Sequence, residues 1–260
     1  MKKIIFFVVS AFVLTIAGCT NLLNSDTEYL EQTENMDKKE EAKDAQTEKN
    51  LILDGKIIVI DPGHGLNYDS SYEPEAPESF ITKPAYVSGT RGKYQTEEEL
   101  NLSVGKILYD RLTGLNAKVY MTRHGHYSQR SNIERAEFAN ELNADICIRL
   151  HADGSENKEI SGISMLIPAE NHFEDIDILK ESKKAGEILF DNIIRSTGAK
   201  KIGITPRADL AGFNWSKVPV VLIEMGFMSN ENDDYMLSQK DYQEKIADGI
   251  INGLEEYFQE

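Results

Sequence analysis

The sequence is poor in cysteine and in base. Two cysteines in 260 residues allow one intrachain disulfide at most, which excludes a disulfide-stapled scaffold. Lysine and arginine total 28 against 44 aspartates and glutamates, a formal net charge of −16. That deficit argues against a basic face for gripping nucleic acid. No G-x-S-x-G elbow, Walker-type phosphate loop or dinucleotide-binding glycine fingerprint occurs. With 40% hydrophobic and 28% charged residues, the chain is too apolar for disorder and too polar for a multi-span membrane protein.

What is there begins with a leader. Met1-Lys2-Lys3 precedes an apolar stretch from Ile4 to Gly18, shorter than the ~20 residues of a bilayer span. It fits a secretory signal over residues 1–18. Its end, Ile16-Ala17-Gly18-Cys19, resembles the bacterial lipobox, which implies lipidation at Cys19 and attachment to a membrane. Residues 20–50 hold nine acids and four lysines with neither glycine nor proline. Such a segment buries too little surface to offset its ordering entropy, so 19–50 reads as an acidic, disordered tether. The start contributes +2 and the tether −5, which leaves −13 on residues 51–260.

That remainder alternates. Apolar, β-branched runs at Lys56–Ile60, Lys118–Met121, Asp145–Leu150, Gly162–Ile167 and Val218–Ile223 read as buried strands. Between them, helical periodicity covers Leu100–Leu115, about 130–143, Ile178–Ile193 and Tyr242–Leu254. The pattern predicts a single α/β domain: a twisted, mainly parallel sheet with helices on both faces. One connection breaks the rhythm. Residues 66–95 carry three prolines and four tyrosines, and connections so long are usually functional or disordered.

Ligands of open parallel sheets bind beyond the carboxyl ends of the strands. Three residues with chemical capacity fall there: His64 after the first run, His151 after the third and Glu224 at the end of the last. Two histidines and a carboxylate suit a catalytic zinc site, although a lone histidine at the core edge is also a plain hydrogen-bonding residue. Cys147 lies inside an apolar run, placed for packing rather than for nucleophilic attack.

Five segments carry a resemblance. They are Ile58-Val-Ile-Asp-Pro-Gly-His-Gly65, Glu97-Glu-Glu-Leu-Asn-Leu102, Thr122-Arg123 followed by Arg130–Asn140, Ala144–Asp153, and Val218–Asn230. In this order they resemble the zinc-dependent N-acetylmuramoyl-L-alanine amidases, which cut peptides from bacterial cell-wall glycan. The resemblance implies Zn²⁺ bound by His64, Glu97 and His151, with Glu224 as the catalytic glutamate. Glu98 and Glu99 then serve only the first turn of a helix that Thr96 caps. Asp61 either orients His64 or simply makes the Asp-Pro turn. Arg207 and Asn214 resemble a segment near the substrate groove, or else make surface hydrogen bonds. Asp153 stands where the family commonly has asparagine. The implied function is hydrolysis of the amide between the lactyl group of N-acetylmuramic acid and L-alanine in peptidoglycan. The implied location is extracytoplasmic, on a membrane through the lipid, with no nucleic-acid partner and no indication of a protein activator. The rivals are a wall-binding lipoprotein without turnover and a zinc peptidase cutting within the stem peptide. The loop 66–95 is expected to form a wall of the groove or a lid across it.

Overall fold

The computed structural model describes residues 52–170 and 176–260. The expected signal, Cys19 and the tether lie outside the described residues. No described helix is long and apolar enough to cross a membrane.

Six strands form the main sheet: β1 (Ile57–Pro62), β4 (Lys118–Met121), β5 (Ile146–Asp153), β6 (Ile163–Pro168), β7 (Lys201–Arg207) and β8 (Val220–Phe227). Their spatial order is β4-β1-β5-β8-β6-β7. Every pairing is parallel except β6 with β8, so β6 and β7 run against the other four. The long connection holds a separate two-stranded antiparallel sheet, β2 (Tyr72–Pro74) and β3 (Thr82–Pro84). The helices are α1 (Glu97–Gly114), α2 (Asn132–Glu141), α3 (Ile176–Thr197), α4 (Ala211–Asn214), α5 (Glu231–Leu237) and α6 (Lys240–Gln259).

The expected mainly parallel α/β sheet with helices on both faces is what the chain adopts, but the two faces are covered unequally. Side chains alternate along a strand. From the strands, Ile58, Ile60, Ile146, Ile148, Leu150, Val221, Ile223 and Met225 enter one core. There they meet Leu100, Val104, Leu108 and Leu112 of α1, Leu189 and Ile193 of α3, and Ile246 and Ile250 of α6. Val59, Cys147, Val220 and Leu222 form a smaller core on the opposite face with Ala139 of α2 and Phe213 of α4. Three long helices therefore seal one face, and two short ones partly cover the other. Continuing the same two-residue period toward the strand ends puts Asp61, Arg149, His151 and Glu224 on the thinly covered face.

Two elements were not expected. β7 is a mostly exposed edge strand containing Gly203 and Pro206, so no buried apolar run marks it. Proline is tolerated there because an edge strand pairs on one side only. The β2–β3 hairpin places Tyr72, Pro74, Thr82 and Pro84 outward and Glu73 and Lys83 inward. Its inner side is tied down. Trp215 Nε1 donates to Pro74 O at 3.2 Å and Asn214 Nδ2 to Glu75 O at 3.0 Å. Ile133 N, in the first turn of α2, donates to Glu73 Oε1 at 3.1 Å, and Lys83 Nζ donates to Asp209 O. Contacts on several sides make the hairpin a fixed roof.

Candidate active site

Three side chains meet where β1, β5 and α1 converge. Glu97, the first residue of α1, points Oε1 at His64 Nε2 (2.9 Å) and at His151 Nδ1 (3.0 Å). The two ring nitrogens are 3.1 Å apart. His64 Nδ1 lies 2.7 Å from Val87 O, which can only accept, so this nitrogen carries the proton and Nε2 presents its lone pair. Burial is the largest influence on His151 and pushes its pKa down to about 4, which keeps that ring neutral at pH 7. For Glu97, burial opposes ionisation, but its close contacts with His151 and His64 prevail and hold it below the usual carboxylate range. Two imidazole nitrogens and a carboxylate oxygen, all within about 3 Å of one another, form a candidate donor set. That chemistry fits a divalent cation, and imidazole with carboxylate is a common zinc set.

Local structure fixes each member. His64 has φ +59°, a left-handed conformation that histidine adopts more readily than most residues. Arginines hold it there. Arg123 Nε and Arg135 Nη1 donate to Pro62 O at 2.8 and 2.9 Å. Arg123 Nη2 reaches Gly63 O at 3.0 Å, and Arg135 Nη2 reaches His64 O at 2.5 Å. A Cβ on Gly63 would overlap the His151 ring, so the absence of a side chain there lets the two ligands meet. Glu97 Oε2 accepts from Thr90 N at 2.8 Å, and Oε1 from Ala152 N at 3.2 Å. Val87 and Thr90 belong to the return limb of the long loop, which therefore backs two of the three candidate ligands.

Asp61 lies beneath. Of its two readings, orienting His64 or making the Asp-Pro turn, the first is not what the structure shows: Asp61 makes no hydrogen bond to His64 among the described residues. Its carboxylate accepts from Thr122 Oγ1 (2.6 Å), Arg135 Nη1 (2.7 Å) and Arg149 Nε (2.8 Å). Burial raises its pKa, but the two guanidiniums outweigh this and hold it below the usual carboxylate range. A backbone carbonyl, Val87 O, supports His64 instead.

Glu224 sits opposite His151 in the β5–β8 ladder. Its Oε2 is sealed from solvent without a hydrogen-bond partner. Burial first, then the charges of Glu97 and Asp153, raise its pKa well above the ordinary value. Two cavities flank it. One of about 320 Å³ lies under the hairpin, lined by Lys83, Arg149, Arg207 and Gly212. The other, of about 500 Å³, opens beyond the strand ends past Thr90, Asp153 and Ser229. His64, His151 and Glu224 border both.

The structure thus brings His64, Glu97, His151 and Glu224 together. Glu99 instead accepts from Thr96 N at 2.8 Å, and with Glu98 lies near the exposed His126. Arg207 borders the roofed cavity, with Nε and Nη2 2.6 and 2.7 Å from Asp209. Asn214 does not border it: the buried amide donates to Glu75 O and Ala208 O, holding the roof to the turn after β7. Cys147 is buried and free, its thiol pushed up to about 12 by burial. Sequence reasoning gave no role to Arg123, Arg135 or Arg149. Their presence within the quoted segments was the available signal, since arginines so close to apolar strands need buried partners.

Comparison with known proteins identifies the family. A family model described as N-acetylmuramoyl-L-alanine amidase matches residues 58–256. A putative N-acetylmuramoyl-L-alanine amidase of Buchnera aphidicola is 30% identical over 227 residues, 78% of this chain and 96% of that one. The N-acetylmuramoyl-L-alanine amidase Rv3717 of Mycobacterium tuberculosis is 26% identical, over 77% of this chain and 85% of its own. Among solved structures, the amidase Ami1 of Mycobacterium smegmatis superposes with a TM-score of 0.73 at 26% identity, covering 80% of this chain and 98% of that one. With the match running from the first strand of the sheet into its last helix, the chain belongs to the N-acetylmuramoyl-L-alanine amidase family, Amidase_3.

Proposed function

We propose that the chain is a zinc-dependent hydrolase of the amide joining the lactyl group of N-acetylmuramic acid to L-alanine in peptidoglycan. The observation that carries this reading is the convergence of His64, Glu97 and His151 beside a buried Glu224 that faces His151 across one ladder. Family membership supports amide hydrolysis in the cell wall. The donor set supports the metal.

His64 Nε2, His151 Nδ1 and Glu97 Oε1 would hold Zn²⁺, which when bound supplies a Lewis acid that polarises the scissile carbonyl and acidifies water. Glu224 takes a proton from the attacking water and delivers it to the departing amine of L-alanine. Its raised proton affinity suits both halves of that transfer. Arg123 and Arg135 hold the 62–64 carbonyls, and so keep His64 aimed. The roofed cavity, with Arg207 on its wall, receives the part of the substrate next to the scissile bond.

A wall-binding protein without turnover would have no use for a buried carboxylate of high proton affinity beside a metal donor set. A stem-peptide peptidase is disfavoured by the family. The leader and Cys19 support extracytoplasmic action from a lipid anchor, and Cys19→Ser would then release the protein from the membrane fraction or leave its leader uncleaved. Zinc stoichiometry tests the metal. About one zinc per chain is expected in the unmodified protein, and far less in His64→Ala, His151→Ala and Glu97→Gln. Full zinc in any of these variants would remove that residue from the site.

A further inference from the structure

Arg149 is 5% exposed and lies on the same side of β5 as His151, two residues away. It shares Asp61 with Arg135, so two buried guanidiniums meet one buried carboxylate. The donors of Arg135 are spent on Asp61, Pro62 O, His64 O, Ser128 and Arg130 O. Arg149 spends only Nε. Among the described residues its two terminal nitrogens have no hydrogen-bond partner, and the residue borders the roofed cavity beside Glu224. Gly212 makes room for it: a Cβ there would overlap Nη1. The other acids of the cavity are engaged, Asp209 by Arg207 and Lys83, and Glu73 by the first turn of α2. A buried guanidinium with two unpartnered terminal nitrogens, bordering a cavity, suits an anion.

We propose that Arg149 forms a carboxylate subsite that reads the peptide side of the substrate, at the second residue beyond the scissile bond. This rests on the amidase reading above. The cavity's shape and the strand spacing set the position. The hairpin roofs the cavity, which suits a branching peptide better than a continuous glycan strand that must leave at both ends. Two residues of strand separate Arg149 from His151 by about 6.6 Å. An extended peptide advances about 3.3–3.6 Å per residue, so the group reaching Arg149 lies two residues from the metal ligands. A planar guanidinium edge matches a carboxylate in two parallel hydrogen bonds and cannot do so with the donor side of a carboxamide. The subsite therefore separates stem peptides with a free carboxylate at the second residue from those in which it is amidated.

The test uses the zinc-loaded protein and two dipeptides, L-alanyl-D-glutamate with its γ-carboxylate capped as the methylamide, and the same compound with its α-carboxylate converted to carboxamide. Calorimetric titration should show the carboxylate form binding at least tenfold more tightly. Arg149→Gln should bring the two affinities together. Equal binding by the unmodified protein would overturn the subsite, and so would a full preference surviving in a folded Arg149→Gln protein. If that variant fails to fold, the comparison on the unmodified protein still decides. Hydrolysis of the matching muramyl dipeptides reports separately on the amidase reading. Cleavage of both at equal kcat/KM would defeat the subsite alone. Cleavage of neither would defeat the activity, while the titration still judges Arg149.

Discussion

His151 and Glu224 face each other across the parallel β5–β8 ladder, so one backbone register sets a candidate metal ligand and the candidate proton carrier side by side. A one-residue slip of either strand would turn its side chain to the opposite face of the sheet. Apolar burial on both faces fixes that register: Ile148, Leu150, Val221 and Ile223 on one side, Cys147, Val220 and Leu222 on the other. Core packing thereby positions the chemistry.

Glu224 is near the candidate metal donor set without belonging to it, and this separates two measurements. Glu224→Gln should retain about one zinc per chain and lose on the order of 10²–10⁴ in kcat, the usual contribution of a positioned acid–base group. Elemental analysis and turnover on the same preparation decide the matter. Loss of zinc would place Glu224 among the ligands.

Asp61 ties pH to stability. Its pKa is held below the unfolded value, so its contribution is fully present above about pH 4 and is lost progressively as pH falls below that value. Asp61→Asn leaves Arg135 and Arg149 buried against a neutral amide, and should cost about 3–5 kcal/mol at pH 7. The gap between the two proteins should narrow below about pH 4. Urea unfolding of chelated samples across pH gives the measurement, and a gap independent of pH would remove the charge of Asp61 from the account.

The hairpin can be separated from the ligand supports. Replacing Tyr72–Pro84 with a short Gly/Ser linker leaves Val87 and Thr90 in the chain. It should spare zinc and reduce kcat/KM on polymeric wall at least tenfold, ~1.4 kcal/mol of transition-state stabilisation. Carrying the replacement through Thr90 should lose zinc as well, because His64 and Glu97 then lose the Val87 and Thr90 backbone partners. Unchanged kcat/KM in the shorter replacement would leave the roof without a catalytic role.

How much of this could be read from sequence follows from how local each signal is. Runs such as Ile57-Ile-Val-Ile60 and Val220-Val-Leu-Ile223 announce buried strands by themselves, and His64, His151 and Glu224 stand at the ends of such runs. Glu97 needed the family resemblance, since an acidic first turn explains Glu97, Glu98 and Glu99 equally well. β7 stayed hidden because an exposed edge strand has little apolar pattern. The hairpin strands are three residues each and both end in proline, too short for any periodicity. The sharing of Asp61 by Arg135 and Arg149 joins residues 74 and 88 positions apart, and only the folded sheet brings them together. Asn214 lies beside the groove in sequence, yet its amide faces the roof.

The bond that is cut separates an amidase from a stem-peptide peptidase. Purified peptidoglycan should be digested with the zinc-loaded protein, and in parallel with chelated protein, and the products identified by mass spectrometry. The account predicts intact peptides with new L-alanine amino termini and glycan bearing free lactyl carboxylates, formed only by the zinc-loaded sample. Cleavage confined to bonds between stem residues would contradict it, as would equal product from the chelated protein.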